Sequence, residues 1–77
     1  MDIYYLKRWR EEAKKRYRIR KYYNYFMVFW ASEGYNVGGP HKDLEKHSTL
    51  KDAIVECNAY RRGFIYNKLQ RIKAERY

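Results

Sequence analysis

Cysteine is nearly absent: Cys57 is the one thiol in 77 residues, so no internal disulfide and no multi-cysteine zinc cluster can form, and a reducing, intracellular (cytoplasmic) setting is expected. Proline occurs once and glycine four times; apart from the short Val37 to Pro40 stretch there is no linker, and residues 1–77 read as a single small basic domain. Long apolar runs are missing too. The longest, Tyr25 to Ala31, has seven residues, where a membrane-spanning helix needs roughly 20, so no membrane partner is expected. The first residues are apolar before they are basic, the reverse of an export signal. Repeats, low-complexity segments, glycine-rich phosphate loops and zinc-finger spacings are absent, as is any Ser, His and Asp constellation that so short a chain would hold rigidly. The expectation is therefore a non-enzyme without cofactor.

Acidic residues are scarce: 9 against 18 Lys and Arg, for a formal charge of +9 and a pI near 9.8. This favours polyanionic or acidic partners. The charge is segregated. Residues 1–30 carry nine basic and three acidic groups, 31–60 three and five, and 61–77 six and one. Aromatic residues make up 19% of the chain, unlike a disordered basic tail. A chain of this length buries only roughly 60% of its unfolded surface, enough for one small core.

Leu6, Trp9, Ala13 and Tyr17 form an apolar stripe at helical spacing and predict a first helix from about residue 3 to about residue 21. Glu11 with Lys15 and Glu12 with Arg16 are acid-to-base pairs at i, i+4 that support it. From Tyr22 the composition turns to Tyr, Phe, Met, Val and Trp, which predicts a strand ending at Ser32. A short second strand is expected at Tyr35–Val37, with a hairpin turn at Glu33 and Gly34. The first strand is apolar on both faces, with Tyr23, Tyr25, Met27 and Phe29 on one and Phe26, Val28 and Trp30 on the other. It therefore calls for cover on both sides, which a third strand, a helix on each face or a second copy of the chain in a homodimer would supply. Thr49 and Asp52 mark the start of a second helix with Leu50, Ala53, Ile54 and Cys57 inward. One long helix bent at Gly63 and two consecutive helices fit the later residues equally well. The predicted fold is α+β: N-terminal helix, β-hairpin, then one long or two consecutive C-terminal helices. Its expected core is Leu6, Trp9, Ala13, Met27, Phe29, Leu50, Ala53, Ile54 and Cys57.

On the predicted first helix, Lys7, Arg10, Lys14, Arg18 and Lys21 fall within roughly 80° of one another along about 21 Å, a row suited to a phosphate backbone. A solvated helix face is the plain alternative for such a row. Arg61, Arg62, Lys68, Arg71, Lys73 and Arg76 form a basic field without a stripe. Tyr17, Tyr22, Tyr23, Tyr25 and Tyr35 have rings able to stack on bases, although filling a small core is the commoner use of such rings. His41 and His47, with Asp43 and Glu45 between them, read as loop residues rather than a metal site, since neither a helical histidine spacing nor a thiolate joins them. Cys57 reads as a small buried hydrophobe.

A hairpin or short sheet followed by a helix opening with Thr49, Leu50, Lys51, Asp52, Ala53 and Ile54 loosely resembles the small sheet-plus-helix DNA readers, the plant APETALA-type and integrase arm-binding folds, over about residues 22 to 62. Those folds carry three strands with basic residues on the sheet. The sequence reads here as an aromatic strand face with the charge on flanking helices, and no residue role is carried over.

The functional expectation is non-enzymatic binding of nucleic acid through its phosphates. Lys7, Arg10, Lys14, Arg18 and Lys21 are the positioning contacts, and Tyr22 or Tyr25 is the stacking group. The alternative is a small protein-binding module or inhibitor, of the kind viruses and mobile elements encode, that docks on an acidic surface of a host protein with aromatic anchors.

Overall fold

The computed structural model describes residues 3–75. Helix α1 (Ile3–Arg16) runs directly into strand β1 (Tyr17–Lys21); strand β2 (Phe26–Ala31), a 3-10 turn (Tyr35–Val37), strand β3 (His41–His47) and helix α2 (Leu50–Glu75) follow. The three strands form one antiparallel sheet in the order β1-β2-β3. The α+β order of N-terminal helix, hairpin and long C-terminal helix is the one the sequence predicts, but several boundaries differ.

The first helix stops at Arg16, not near residue 21. Tyr17–Lys21 alternates apolar and basic residues up to Ile19, a period of two that pairing with β2 selects over the helical period. Tyr17 lies opposite Trp30 and Ile19 opposite Val28, bulky cross-strand pairs that stabilise a sheet. Lys14, Lys15 and Arg16 close α1 with positive charge in its last turn, where the helix dipole favours it. Of the expected acid-base pairs, Glu12 and Arg16 form an ion pair at 3.1 Å.

The hairpin turn is Tyr22–Tyr25, closed by the Tyr22 N–H donating to the Tyr25 carbonyl at 2.9 Å, and not Glu33–Gly34. Tyr35–Val37, expected as a strand, is one 3-10 turn inside the β2–β3 connection. That connection depends on two glycines. Gly38 has φ +93, in the left-handed region that glycine enters freely. At Gly39 a Cβ would meet the Gly34 carbonyl at 2.6 Å. The third strand, His41–His47, is the segment read as a polar loop. Leu44 is its one apolar residue, and most of it is exposed, so an edge strand of this kind carries no alternation to detect.

Helix α2 is continuous for 26 residues, about 39 Å at the usual rise. Thr49 caps it, its Oγ1 accepting the Asp52 N–H at 3.2 Å, which stabilises such a start by ~1 kcal/mol. Gly63 neither ends nor strains it, since a Cβ there meets nothing within 4 Å. The face of α2 that meets the sheet is Ala53, Cys57 and Tyr60. The small side chains at 53 and 57 let the helix close on Val28, which is fully buried beneath them, with the partly buried Tyr17, Ile19 and Phe26 packed around it. The Tyr17 ring stacks on Tyr60 at 5.4 Å and meets Phe64 edge-on at 6.3 Å. Ala13, Phe29, Ala53 and Cys57 are buried as expected, and Leu6, Trp9 and Met27 are half-buried. Leu50 and Ile54 are instead 47% and 44% exposed, because the seam runs one step round the helix from them.

Candidate nucleic-acid interface

The sheet has two unlike faces. Against α2 lie Tyr17, Ile19, Phe26 and Val28. On the other face the register sets Arg18 opposite Phe29 and Arg20 opposite Met27, while Lys46, Asp43 and His41 of β3 pair with Met27, Phe29 and Ala31. A β-bulge at Leu44, between the partners of Val28 and Phe29, shifts the alternation of β3 by one. His41 and Asp43 therefore point away from α2, and Glu45 and His47 point towards it.

On the face away from α2 the arginines are held by rings. The Arg20 guanidinium carbon lies 5.2 Å from the Phe29 ring centre and 5.9 Å from that of Tyr35, and Arg20 donates a hydrogen bond to the Tyr35 hydroxyl. Arg18 lies 5.2 Å from the Tyr35 ring centre, donates from Nε to the Lys15 carbonyl at 2.9 Å and from a terminal nitrogen to Asn36 at 3.1 Å. Phe29 and Tyr35 rings are 5.5 Å apart, and His41 meets both edge-on at 6.1 and 5.6 Å. Lys46 Nζ sits 4.2 Å from the Tyr25 ring centre. Each ring-held cation keeps part of its donor set outward, and ring contacts cut the entropy that a free arginine loses on binding. Three permanent positive charges and one histidine face a single carboxylate, Asp43.

The five-residue row expected on α1 does not exist as one surface. Lys7, Arg10 and Lys14 are exposed on one side of α1 and span about 10 Å. Arg18 and Lys21 belong to β1, whose alternation sends them to opposite faces. Tyr22 and Tyr25 stack on one another at 4.7 Å across the hairpin turn, so each has already given one ring face to the other. Tyr23, at the tip, is fully exposed. The C-terminal basic field is partly spent on structure: Arg61 donates from two nitrogens to the Tyr17 carbonyl at 3.1 and 2.8 Å, and Lys68 lies 5.4 Å from the Phe64 ring centre. Arg76 lies outside the described residues.

Arg20, Lys46, Phe29 and Tyr35 meet on this sheet face and were left out of the site expected from the sequence. The signal for the first was present in the alternation Arg18, Ile19, Arg20. Tyr35 was named among the rings able to stack but on an expected strand, not the 3-10 turn, and Lys46 carried no signal, since its place depends on the pairing of β3.

Cys57 Sγ donates to the Tyr17 carbonyl at 3.4 Å, and burial raises its thiol pKa while Arg61 partly offsets this. Tyr60 is raised by desolvation first, then by the carboxylates of Glu45 and Glu56. No helix among the described residues is long and apolar enough to cross a membrane. Compared with protein-family models, with curated proteins and with solved structures, the chain matches none significantly.

Proposed function

We propose that the protein binds nucleic acid through the sheet face that α2 leaves free. The observation that supports this is the pair Arg18 and Arg20, projecting from alternate positions of β1 on that face and braced by Phe29, Tyr35 and Asn36. Three strands at the usual spacing of about 4.8 Å set β1 and β3 about 10 Å apart, within the roughly 12 Å width of a duplex major groove. Helix α2 on the far face gives the sheet a rigid back. Lys46 extends the positive surface on the β3 side, and Arg18, bonded to the Lys15 carbonyl, joins it to the end of α1. In this reading phosphate contacts supply the affinity. The chain also carries the two features whose apparent lack set the sequence apart from the sheet-plus-helix DNA readers: a third strand, and basic residues on the sheet.

Fluorescence anisotropy with labelled duplex, single-stranded DNA and RNA across a salt series tests the reading. Binding to duplex should weaken with salt at a slope of about −0.9 in log K per phosphate contacted. Duplex binding with a slope near zero would remove it.

A second reading has its own observation. Leu50, Ile54 and Val55 are 47%, 44% and 62% exposed on the outer side of α2, apolar surface suited to a protein partner. A partner with an acidic rim would use the basic ends of the chain for steering. Pull-down from nuclease-treated lysate separates the two, because only a protein partner survives the nuclease and only that partner is lost when Ile54 and Val55 become Ser. Part of the cover that a strand apolar on both faces calls for comes from the chain itself, with α2 against Val28 on one face and Tyr35 and Arg20 against Phe29 on the other.

A further inference from the structure

The bulge at Leu44 turns Glu45 and His47 of β3 to the same side of the sheet, towards α2, and Glu56 of α2 comes to meet them. One donor atom from each of the three lies within 4.8 Å of the other two, with His47 Nε2 and Glu45 Oε2 at 3.6 Å. Around a tetrahedral zinc ion with bonds of about 2.1 Å, donors stand roughly 3.4 Å apart, so a small rotation of the half-exposed Glu45 side chain closes the set. We propose that Glu45, His47 and Glu56 form a binding site for a divalent transition cation of the zinc type.

Two observations carry this. His47 Nε2 is buried and makes no hydrogen bond, and a metal bond would satisfy that atom. Among the described residues the two carboxylates converge without a lysine or arginine partner, in a chain that carries twice as many basic as acidic residues; a divalent ion neutralises both. The donor set of one imidazole nitrogen and two carboxylate oxygens suits zinc, with water completing the shell, and lacks the six to eight oxygens calcium takes. The site would join the edge strand β3 to α2 and so staple a domain in which Val28 and Cys57 are the largest fully buried side chains among the described residues; metals stabilise small folds in this way. It lies on the opposite side of the sheet from the proposed nucleic-acid surface and does not depend on that reading.

Zinc chloride titrated into the full chain tests it, with thermal melting and histidine side-chain NMR as readouts. The expected result is a rise in Tm on the order of 10 °C at a hundredfold excess over Kd, reversed by EDTA. Zinc should shift the ring signals of His47 while those of His41, on the far face, stay in place. Glu56→Gln and His47→Gln should each remove the response, and His41→Gln should keep it. An unchanged Tm together with unmoved His47 signals in the folded wild-type chain overturns the proposal, as does a full zinc response in Glu56→Gln. The NMR readout on the wild type decides even where a variant fails to fold.

Discussion

Arg20 lies over the ring of Phe29, its guanidinium carbon 5.2 Å from the ring centre, on the one sheet face that no part of α2 touches. Phe29 is only 4% exposed although α2 packs on the opposite face of the sheet, and Arg20, Tyr35 and His41 lie against its ring. The same contact thus buries an aromatic ring and presents a cation. Arg20→Ala should lower stability by about 0.5–1 kcal/mol through the lost cation–π contact. Arg20→Lys should recover little of it, since lysine lacks the planar group that stacks. Urea unfolding of the two variants measures both.

Gly63 occupies the exposed middle of a continuous helix, with free space where a Cβ would go. Gly63→Ala should therefore raise stability by roughly 0.5–1 kcal/mol, from the lower entropy of the unfolded chain and the better helix propensity. A loss of stability in thermal melts would mean that α2 breaks there. Gly39→Ala should act in the opposite direction, because the new methyl group meets the Gly34 carbonyl at 2.6 Å and the β2–β3 connection must shift.

Val28 sits at the centre, fully buried against Ala53 and Cys57. Val28→Ala removes two methyl groups and should destabilise the fold by about 1–3 kcal/mol. The fall in the denaturant midpoint, at an unchanged m-value, is the measurement.

Burial raises the Cys57 thiol pKa, so the folded chain keeps its proton to higher pH than the unfolded chain does. Between those two pKa values the folded state binds more protons, and stability falls as pH rises; below the unfolded value, about 8.5, this contribution is constant. Raised Tyr60 extends the same trend to higher pH. The stability curve should be level in this respect up to about pH 8 and then decline, with Cys57→Ala losing the first part of the decline and keeping the second. The native thiol should also react with a disulfide reagent far more slowly than the denatured chain does.

What the sequence made legible is the set of elements whose pattern is local. The apolar stripe placed the start of α1 but carried it about five residues past its end at Arg16, the Thr49 cap placed the start of α2, and the β-branched and aromatic run placed β2. Tyr17–Lys21 was lost because Tyr17 continues a helical stripe and a strand alternation equally well; only β2, ten residues on, decides between them. β3 was lost because its side chains are charged on both faces, and its register comes from β2 and from one bulge. The site followed the same division. Arg18 was named but on the wrong element, and Arg20, Phe29, Tyr35 and Lys46 meet only once the three strands are paired.

The most direct test compares two triple variants in duplex binding across a salt series. Arg18→Ala, Arg20→Ala and Lys46→Ala together strip the free sheet face; Lys7→Ala, Arg10→Ala and Lys14→Ala remove the same charge from α1. The account predicts that the sheet variant loses most of the affinity and that its salt slope becomes shallower by about 2.7, three contacts at about 0.9 each, while the helix variant changes both less. Binding that survives the sheet variant and vanishes in the helix variant would contradict it.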